Sequence, residues 1–209
     1  MTTRDQEESE SMFVEAVLLS MAAEGSVATG ELIPREVLFG NPERSSVSIS
    51  PDGSMLAFRA PVDGVMNAWV QPVDGGEARA LTNFTDRPIG SLSWSWNGSQ
   101  LLFDKDAGGD ENFHVYVVDV EGGDPRDLTP IEGVKASIAD ASRERPDEIV
   151  IQMNDMNPQF MNLYRVNTRT GDRTILQEND GYIGYTLDDD WNVRGRAKMN
   201  EEGGLVMEL

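Results

Sequence analysis

The sequence of 209 residues contains no cysteine, a single histidine and only three lysines. The absence of cysteine excludes disulfide bonds, thiolate nucleophiles and cysteine-ligated metal sites, and it leaves the redox environment of the protein open. A Gly-x-Ser-x-Gly nucleophile elbow is also missing, because no two glycines stand four positions apart. The sequence therefore lacks the usual nucleophile motifs of covalent catalysis.

Positive charge is scarce as well. The chain has 17 lysines and arginines against 37 aspartates and glutamates, which gives a formal net charge of −20. A surface of this charge repels phosphate backbones and anionic lipids, so nucleic acids and membrane surfaces are excluded as partners. The sequence leaves two explanations of this acidity open, a salt-rich habitat and drift. No apolar run reaches the roughly 20 residues of a membrane-spanning helix.

The first 31 residues are predicted to form an N-terminal leader that is partly helical or disordered. An export signal needs a basic start and an uninterrupted apolar centre. This leader instead places Arg4 among acidic residues, and Glu15 and Ser20 interrupt its apolar stretch at 12–23. We therefore expect a frayed helical leader rather than an export signal, and the sequence leaves a cytoplasmic or a periplasmic location in a bacterium open.

The remainder of the chain repeats itself at an interval of 47 to 48 residues. An aromatic residue marks each copy, at Trp69, Tyr116 and Tyr164. A turn containing glycine follows each aromatic residue, and a short apolar stretch comes after the turn. These stretches end near Leu81, Leu128 and Leu176. Self-similarity at this interval, with four short strand patterns in each copy, is typical of β-propeller blades.

The predicted fold class is therefore all-β, with propeller blades of four antiparallel strands after a short helical leader. Within a domain at 32–209, the blades are placed near 45–83, 90–130, 134–178 and 181–209. These make about three and a half to four blades of an incomplete ring, because the third has a worn pattern and the chain stops inside the fourth. An open arc exposes an apolar blade face at each end, so we expect the front part of a longer protein, able to self-associate through those faces.

Several segments resemble known propellers. Residues 50–58 (SPDGSMLAF) resemble a hairpin shared by bacterial propellers of the Tol-system type and by the propellers of the prolyl oligopeptidase family of serine peptidases. Four further segments resemble the dipeptidyl aminopeptidase and acylaminoacyl peptidase branch of that family. They are 32–42 (LIPREVLFGNP), 109–119 (GDENFHVYVVD), 126–130 (RDLTP) and 189–194 (DDWNVR). The resemblance extends from Leu32 to Gly204.

The resemblance implies that the chain is the N-terminal propeller of a serine peptidase, capping a C-terminal α/β-hydrolase domain that carries the Ser, Asp and His triad. A ring above the catalytic cleft admits peptides and excludes folded proteins, so the implied function is that of a cap and substrate filter. The implied partners are the hydrolase domain and peptide substrates. This chain contains no triad, and we expect it to be inactive alone.

Two other interpretations stay open. The first is a non-enzymatic propeller of the Tol-system type that acts as a binding module for proteins or peptides. The second is a stand-alone remnant that associates through its exposed blade faces. The segments at 32–42 and 109–112 favour the peptidase propeller over the Tol-system type.

No catalytic, cofactor-binding or metal-binding residue is predicted. The loop at 104–110 resembles an EF-hand calcium loop, but Gly108 and Val115 stand where that loop requires ligands, so a solvated loop is expected. His114 is expected to be a packed strand residue, and Asp188, Asp189 and Asp190 are expected to form a solvated turn. The stretch at 109–112 is predicted to be a structured turn that stabilises its blade.

Two sets of large apolar residues are interpreted as structural. Trp69, Trp94 and Trp96 fall at repeated strands and turns, so packing between blades explains them without a ligand. The methionines of the third blade flank a loop, and filling of gaps in the core is favoured over a flexible contact surface. They are Met153, Met156 and Met161.

Overall fold

The structure, a computed structural model, describes residues 33–40 and 42–209. These residues divide into two units after Gly40. Among the described residues of the first unit, Arg35–Phe39 form a short helix, α1, between Pro34 and Gly40, where proline near the start and glycine after the end are favoured. The predicted leader at residues 1–31 and its boundary lie outside the described residues.

The second unit consists of four antiparallel sheets in which strands adjacent in sequence are adjacent in the sheet. Sheet 1 contains β1 (Ser45–Ile49), β2 (Met55–Val62), β3 (Val65–Pro72) and β4 (Arg79–Ala80). Sheet 2 contains β5 (Leu92–Trp94), β6 (Gln100–Lys105), β7 (His114–Asp119) and β8 (Arg126–Asp127). Sheet 3 contains β9 (Ala136–Ala141), β10 (Glu148–Asn157), β11 (Phe160–Asn167) and β12 (Arg173–Gln177). Sheet 4 contains β13 (Gly184–Leu187), β14 (Val193–Met199) and β15 (Leu205–Glu208).

This arrangement confirms the predicted fold class of propeller blades, with a fourth sheet of three strands. The third repeat, which has the least regular sequence pattern, nevertheless forms a full sheet with the longest strand, β10. Each of the three strand pairings in sheet 3 contains a shift of register. Such bulges break the alternation of apolar and polar residues, which explains why the pattern looks worn although the strands are present.

Three apolar clusters lie between successive sheets and hold them face to face. The cluster between sheets 1 and 2 includes Ala57, Val70, Leu101 and Phe103. The cluster between sheets 2 and 3 includes Leu102, Val117, Ile149 and Ile151. A smaller cluster joins sheets 3 and 4 and includes Val150, Leu163 and Trp191. The sheets therefore stack as blades, each buried against its neighbours.

The second strand of each inner sheet contributes to both of its neighbouring clusters. In β6, Phe103 faces sheet 1 while Leu102 faces sheet 3, and in β10, Ile151 faces sheet 2 while Val150 faces sheet 4. Successive side chains of a strand point to opposite faces, so a strand buried on both sides needs an unbroken apolar run. The runs Leu101–Phe103 and Ile149–Ile151 meet this requirement.

The connections between strands alternate between two ends of the stack because the strands run antiparallel. The hairpin end carries the turns that follow the first strand of each sheet. The link end carries the segments that lead from one sheet to the next, such as residues 81–91, and the loops between second and third strands, such as residues 106–113. Within the described residues, no helix has the length and apolarity needed to cross a bilayer.

The turn between β1 and β2, at the hairpin end of sheet 1, shows how the local sequence forms a tight connection between two strands. Gly53 adopts a φ of 77°, a conformation that favours glycine. Asp52 accepts hydrogen bonds from the Ser50 hydroxyl at 2.6 Å and from the Ser54 amide at 3.0 Å. These bonds, with that of Ser50 as the largest, lower the pKa of Asp52 to about 2 from its ordinary value of 3.8. Because the folded pKa is lowered, the turn gains stability above pH 3.8 and loses it as the pH falls toward 2.

Replacing Ser50 with alanine is expected to raise the pKa of Asp52 from about 2 toward 3.8, because the strongest hydrogen bond to the carboxylate is lost. Ser54→Ala should produce a smaller rise. The pKa is measured by NMR titration of the carboxyl carbons. Ser142→Ala, in another turn where the serine oxygen accepts a backbone N–H, serves as the control. A midpoint for Asp52 that does not move in Ser50→Ala would contradict this account.

Candidate functional site

Two loops meet at the link end between sheets 1 and 2, the link at 81–91 and the loop at 106–113. Arg87 of the link pairs with Asp106 of the loop, with Nε 3.3 Å from Oδ1, and the Asp106 side chain is 2% exposed. Burial alone raises the pKa of Asp106, but the hydrogen bonds and charge of Arg87 outweigh it and leave the pKa below its ordinary value. The pair therefore remains ionised at neutral pH and joins the link to the loop of sheet 2.

A second ion pair lies beside the first. The buried Lys105 donates to the Asp86 carboxylate at 2.9 Å and to the backbone carbonyl of Asp106 at 3.1 Å. Its ammonium nitrogen also lies 4.9 Å from the centre of the Phe84 ring. The hydrogen bond from Lys105 lowers the pKa of Asp86. Of the acidic residues that suggested a calcium loop, Asp106 is paired with Arg87, whereas Asp104 accepts the Ser91 hydroxyl and Asp110 accepts the Asn112 amide.

The stretch at 109–112 is a structured turn, as predicted, whereas the expectation of a solvated loop at 104–110 is wrong for Lys105 and Asp106, which are buried. Gly108 and Gly109 have φ values of 65° and 87°, and Glu111 has a φ of 60°, which is unusual for a residue with a side chain. The Asp110 carboxylate accepts the Asn112 amide at 3.0 Å. A Cβ added at Gly109 would lie 3.6 Å from the Arg87 guanidinium carbon, so the loop packs closely on Arg87.

Beneath these loops lies a cavity of about 390 Å³. Its lining includes Ser45, Arg59, Met66, Arg87, Asp106 and Phe113. The volume falls within the range of roughly 300 to 1,000 Å³ that is usual for small-ligand sites. Its walls combine apolar side chains with two guanidinium groups and one carboxylate, so this cavity is the candidate binding site.

His114 lies at a position of its sheet that asparagine occupies in sheets 1 and 3. Asn67, His114 and Asn162 are separated by one repeat interval each. Asn67 accepts the Phe84 amide and Asn162 accepts the Asn179 amide, both at 2.8 Å and both from 17 residues further along the chain. His114 Nδ1 instead lies 2.7 Å from the Asp127 carboxylate. The histidine thus holds a structural position of the repeat, as the sequence predicts.

The two asparagines are residues that the sequence reading missed. Each fastens the third strand of its sheet to the link that follows, and both side chains are buried, with 0% exposure for Asn67 and 2% for Asn162. Their separation by two repeat intervals was the available signal. This signal was hard to recognise because the corresponding position between them is occupied by His114 and not by a third asparagine.

The three aspartates at 188–190 form a turn held by the protein's own groups. Asp188 accepts the Asn192 amide at 2.8 Å, and this bond is the largest cause of its pKa of about 2. Asp190 pairs with Arg145 of the neighbouring sheet at 3.3 Å. In the part of the chain that the structure describes, no three His, Cys, Asp or Glu side chains are grouped to hold a metal ion.

The predicted contacts between blades are present for Trp94 and Trp96, whereas the contacts given for Trp69 lie within its own sheet. Trp94 donates to Ser48 of sheet 1 at 3.4 Å, and Trp96 donates to Ala141 of sheet 3 at 3.3 Å. Trp69 donates to Ala60 within sheet 1 at 3.0 Å. The methionines differ from one another, since Met153 is fully buried in the core whereas Met156 is 61% exposed. The prediction of core packing therefore holds for Met153 and is wrong for Met156.

Comparison with known proteins places the chain among peptidases. It is 42% identical over 192 residues to dipeptidyl aminopeptidase BIII of Pseudoxanthomonas mexicana, a match that covers 91% of this chain and 28% of that protein. It is 30% identical over 184 residues to dipeptidyl peptidase family member 6 of Caenorhabditis elegans, with coverage of 84% and 25%. The chain belongs, as a propeller portion, to the prolyl oligopeptidase family. It spans about a quarter of the length of these curated relatives. No protein-family model matches it.

Solved structures show the same fold at low sequence identity. The β-propeller domain of the Trilobed protease from Pyrococcus furiosus, described as having an open velcro topology, matches this prolyl oligopeptidase propeller with a TM-score of 0.52 at 16% identity. That match covers 79% of this chain and 55% of the other. TolB from Acinetobacter baumannii matches with a TM-score of 0.50 at 18% identity, covering 78% and 39%. Both similarities show the fold alone. Any inference about function rests on the two relatives of higher sequence identity.

Proposed function

We propose that this chain is the propeller cap and substrate filter of a serine peptidase, acting with an α/β-hydrolase domain of the same protein. The observation that carries the proposal is the 42% identity to a dipeptidyl aminopeptidase across 91% of this chain but 28% of that relative. A match of this extent assigns the propeller to a peptidase and leaves most of the relative's length for other functions, among which we place the catalytic triad.

The stacked sheets supply the means of filtering. In a propeller the blades surround a central axis, and a closed ring leaves a passage that an extended peptide enters and a folded domain does not. The filter is therefore steric, and it requires no catalytic residue of this chain. Peptides are the proposed substrates because the relatives are named as a dipeptidyl aminopeptidase and a dipeptidyl peptidase.

The outward face of sheet 4 supports the proposal of further blades. Ala197, Met199, Leu205 and Met207 lie on one face through the pairing of β14 with β15. On that face Met199 is 53% exposed, Leu205 61% and Met207 56%. Such a face packs against a neighbouring blade in a propeller. We place a further blade of the same protein on it, and in its absence the same face is where copies of this chain would associate.

The binding-module alternative has less support. Its basis is the likeness to TolB, which at 18% identity concerns the fold alone. The two curated relatives both carry peptidase names and match most of this chain at 42% and 30% identity. The peptidase propeller is therefore the function that we propose.

The 209-residue chain is expected to release no product from dipeptidyl p-nitroanilides, whereas the polypeptide encoded by the complete gene should release dipeptides and react with a fluorophosphonate probe. The two preparations are compared at equal molar concentration, with light scattering to give the mass of each. To test the filter, the same dipeptide sequence is placed at the amino terminus of a folded protein. That substrate should resist cleavage, because the folded protein does not pass through the ring. Activity of the short chain that persists through purification and resists serine-directed inhibitors would refute the proposal. The proposal would also be refuted if the product of the complete gene neither reacted with the fluorophosphonate probe nor released product from the dipeptidyl p-nitroanilides.

A further inference from the structure

Arg59 is the one lining residue of the cavity whose charge has no partner among the described residues. It lies on β2 and faces sheet 2, where its Nη1 donates to the backbone carbonyl of Ile89 at 3.2 Å and to that of Gly90. These two hydrogen bonds hold one edge of the Arg59 guanidinium against residues 89 and 90, near the end of the link at 81–91. The ion pairs of the described residues do not include Arg59.

The other edge of the guanidinium makes no hydrogen bond to an acceptor of the described residues. Arg59 Nε is buried and makes no hydrogen bond within the described residues, and the same is true of the Ser45 hydroxyl. Both residues line the cavity of about 390 Å³. Buried donors in native proteins nearly always have a partner, so two donors on one cavity that are unpaired within the described residues point to an acceptor on a bound ligand.

The backbone around Ser45 is irregular at the same place. Ser46 has a φ of 53°, and the pairing of β1 with β2 shifts register between Ser45 and Ser48. Conformations of this kind are costly for residues with a side chain and occur preferentially at ligand sites. The shift separates Ser45, which pairs with Arg59, from the regular part of the strand.

The charges of the cavity favour an anion. Arg87 and Asp106 neutralise each other, which leaves the positive charge of Arg59 in a protein whose net charge is −20. The remaining Nε and Nη2 groups of a guanidinium present two parallel N–H bonds, and a carboxylate matches them with its two oxygens. A hydroxyl beside this fork adds a third donor.

We infer that Arg59 and Ser45 bind the carboxylate of a peptide in this cavity, through a two-point hydrogen bond from the Arg59 Nε edge and a further bond from the Ser45 hydroxyl. The carboxylate belongs either to the carboxyl terminus or to an acidic side chain of the peptide, since both present the same group. The inference concerns binding by this chain and does not depend on the proposed peptidase activity.

The test is titration of the 209-residue chain with three small probes, followed by NMR of the backbone amides and of the arginine Nε–H groups. Acetyl-Ala-Ala with a free carboxylate represents a peptide terminus, and acetyl-Glu-methylamide represents an acidic side chain. Acetyl-Ala-Ala-amide is the matched neutral probe. At least one carboxylate probe is expected to shift the Arg59 Nε–H and the amides of Ser45 and Gly90, while the neutral probe shifts none of them. Binding by the first probe alone identifies a terminus as the source, and binding by the second identifies a side chain.

Arg59→Lys keeps the positive charge but removes the fork, and it is expected to weaken binding of the carboxylate probe by about tenfold or more. Arg126→Lys is the matched control, because Arg126 also donates to backbone carbonyls but lies at the hairpin end. Ser45→Ala should weaken binding less, and it tests the site should Arg59→Lys fail to fold. The inference is overturned if no carboxylate probe binds, if the neutral probe binds equally, or if both Arg59→Lys and Ser45→Ala bind as the unaltered chain does.

Discussion

Replacing Phe103 with alanine should lower the free energy of unfolding by about 3 to 5 kcal/mol, the range observed when a buried phenylalanine is truncated. Phe103 is fully buried in the cluster between sheets 1 and 2. Its ring stacks on Tyr116 at a centroid distance of 5.4 Å and meets Phe84 edge-on at 5.9 Å. The substitution removes apolar contacts and leaves a cavity that the β strands on either side, fixed by their hydrogen bonds, cannot close.

The measurement is chemical denaturation followed by tryptophan fluorescence, with two variants for comparison. Phe103→Leu retains most of the apolar volume and should cost clearly less than Phe103→Ala. Ile183→Ala removes a side chain that is 59% exposed and should change the free energy by no more than about 0.5 kcal/mol. If Phe103→Ala were as mild as Ile183→Ala, the cluster between sheets 1 and 2 would not be the packed interface described above.

The blades could be predicted from the sequence because the information they need is local. A strand buried on both faces needs an unbroken apolar run, and a tight hairpin needs a residue pair such as Asp52-Gly53. Both signals lie within a few residues and recur at the repeat interval. The third sheet was harder to recognise, because its shifts of register disturb the pattern around Val150 and Met153 without removing the strands.

The candidate site could not be predicted in the same way, because it depends on contacts between distant segments. Arg59 and Gly90 are 31 residues apart, and Arg87 and Asp106 are 19 apart. Nothing near Arg59 in the sequence indicates that one edge of its guanidinium is occupied by backbone carbonyls and the other is left without a partner. That property follows from the register of β1 on β2 and from the position of the next blade, which the repeat pattern does not specify.

Replacing Asn67 with alanine should destabilise the chain by about 3 kcal/mol, because it leaves several buried groups without partners. The Asn67 side chain accepts the Thr82 hydroxyl at 2.7 Å and the Phe84 amide at 2.8 Å, and it donates to the Phe84 carbonyl at 3.0 Å. The Thr82 hydroxyl in turn accepts the Ala68 amide at 2.9 Å. Loss of one side chain thus removes the bonds that hold the part of the link around Phe84 to sheet 1.

The control is Asn157→Ala, which removes an asparagine whose side chain accepts one amide in an exposed turn and should cost about 1 kcal/mol or less. Asn162→Ala should match Asn67→Ala, since Asn162 makes the corresponding bond to the link after sheet 3. Chemical denaturation of the three variants separates two accounts of the repeat. If the Asn67 and Asn162 variants are both clearly less stable than the Asn157 variant, these asparagines hold successive blades together. Equal stability of all three would mean that the shared position of Asn67, His114 and Asn162 has no energetic role.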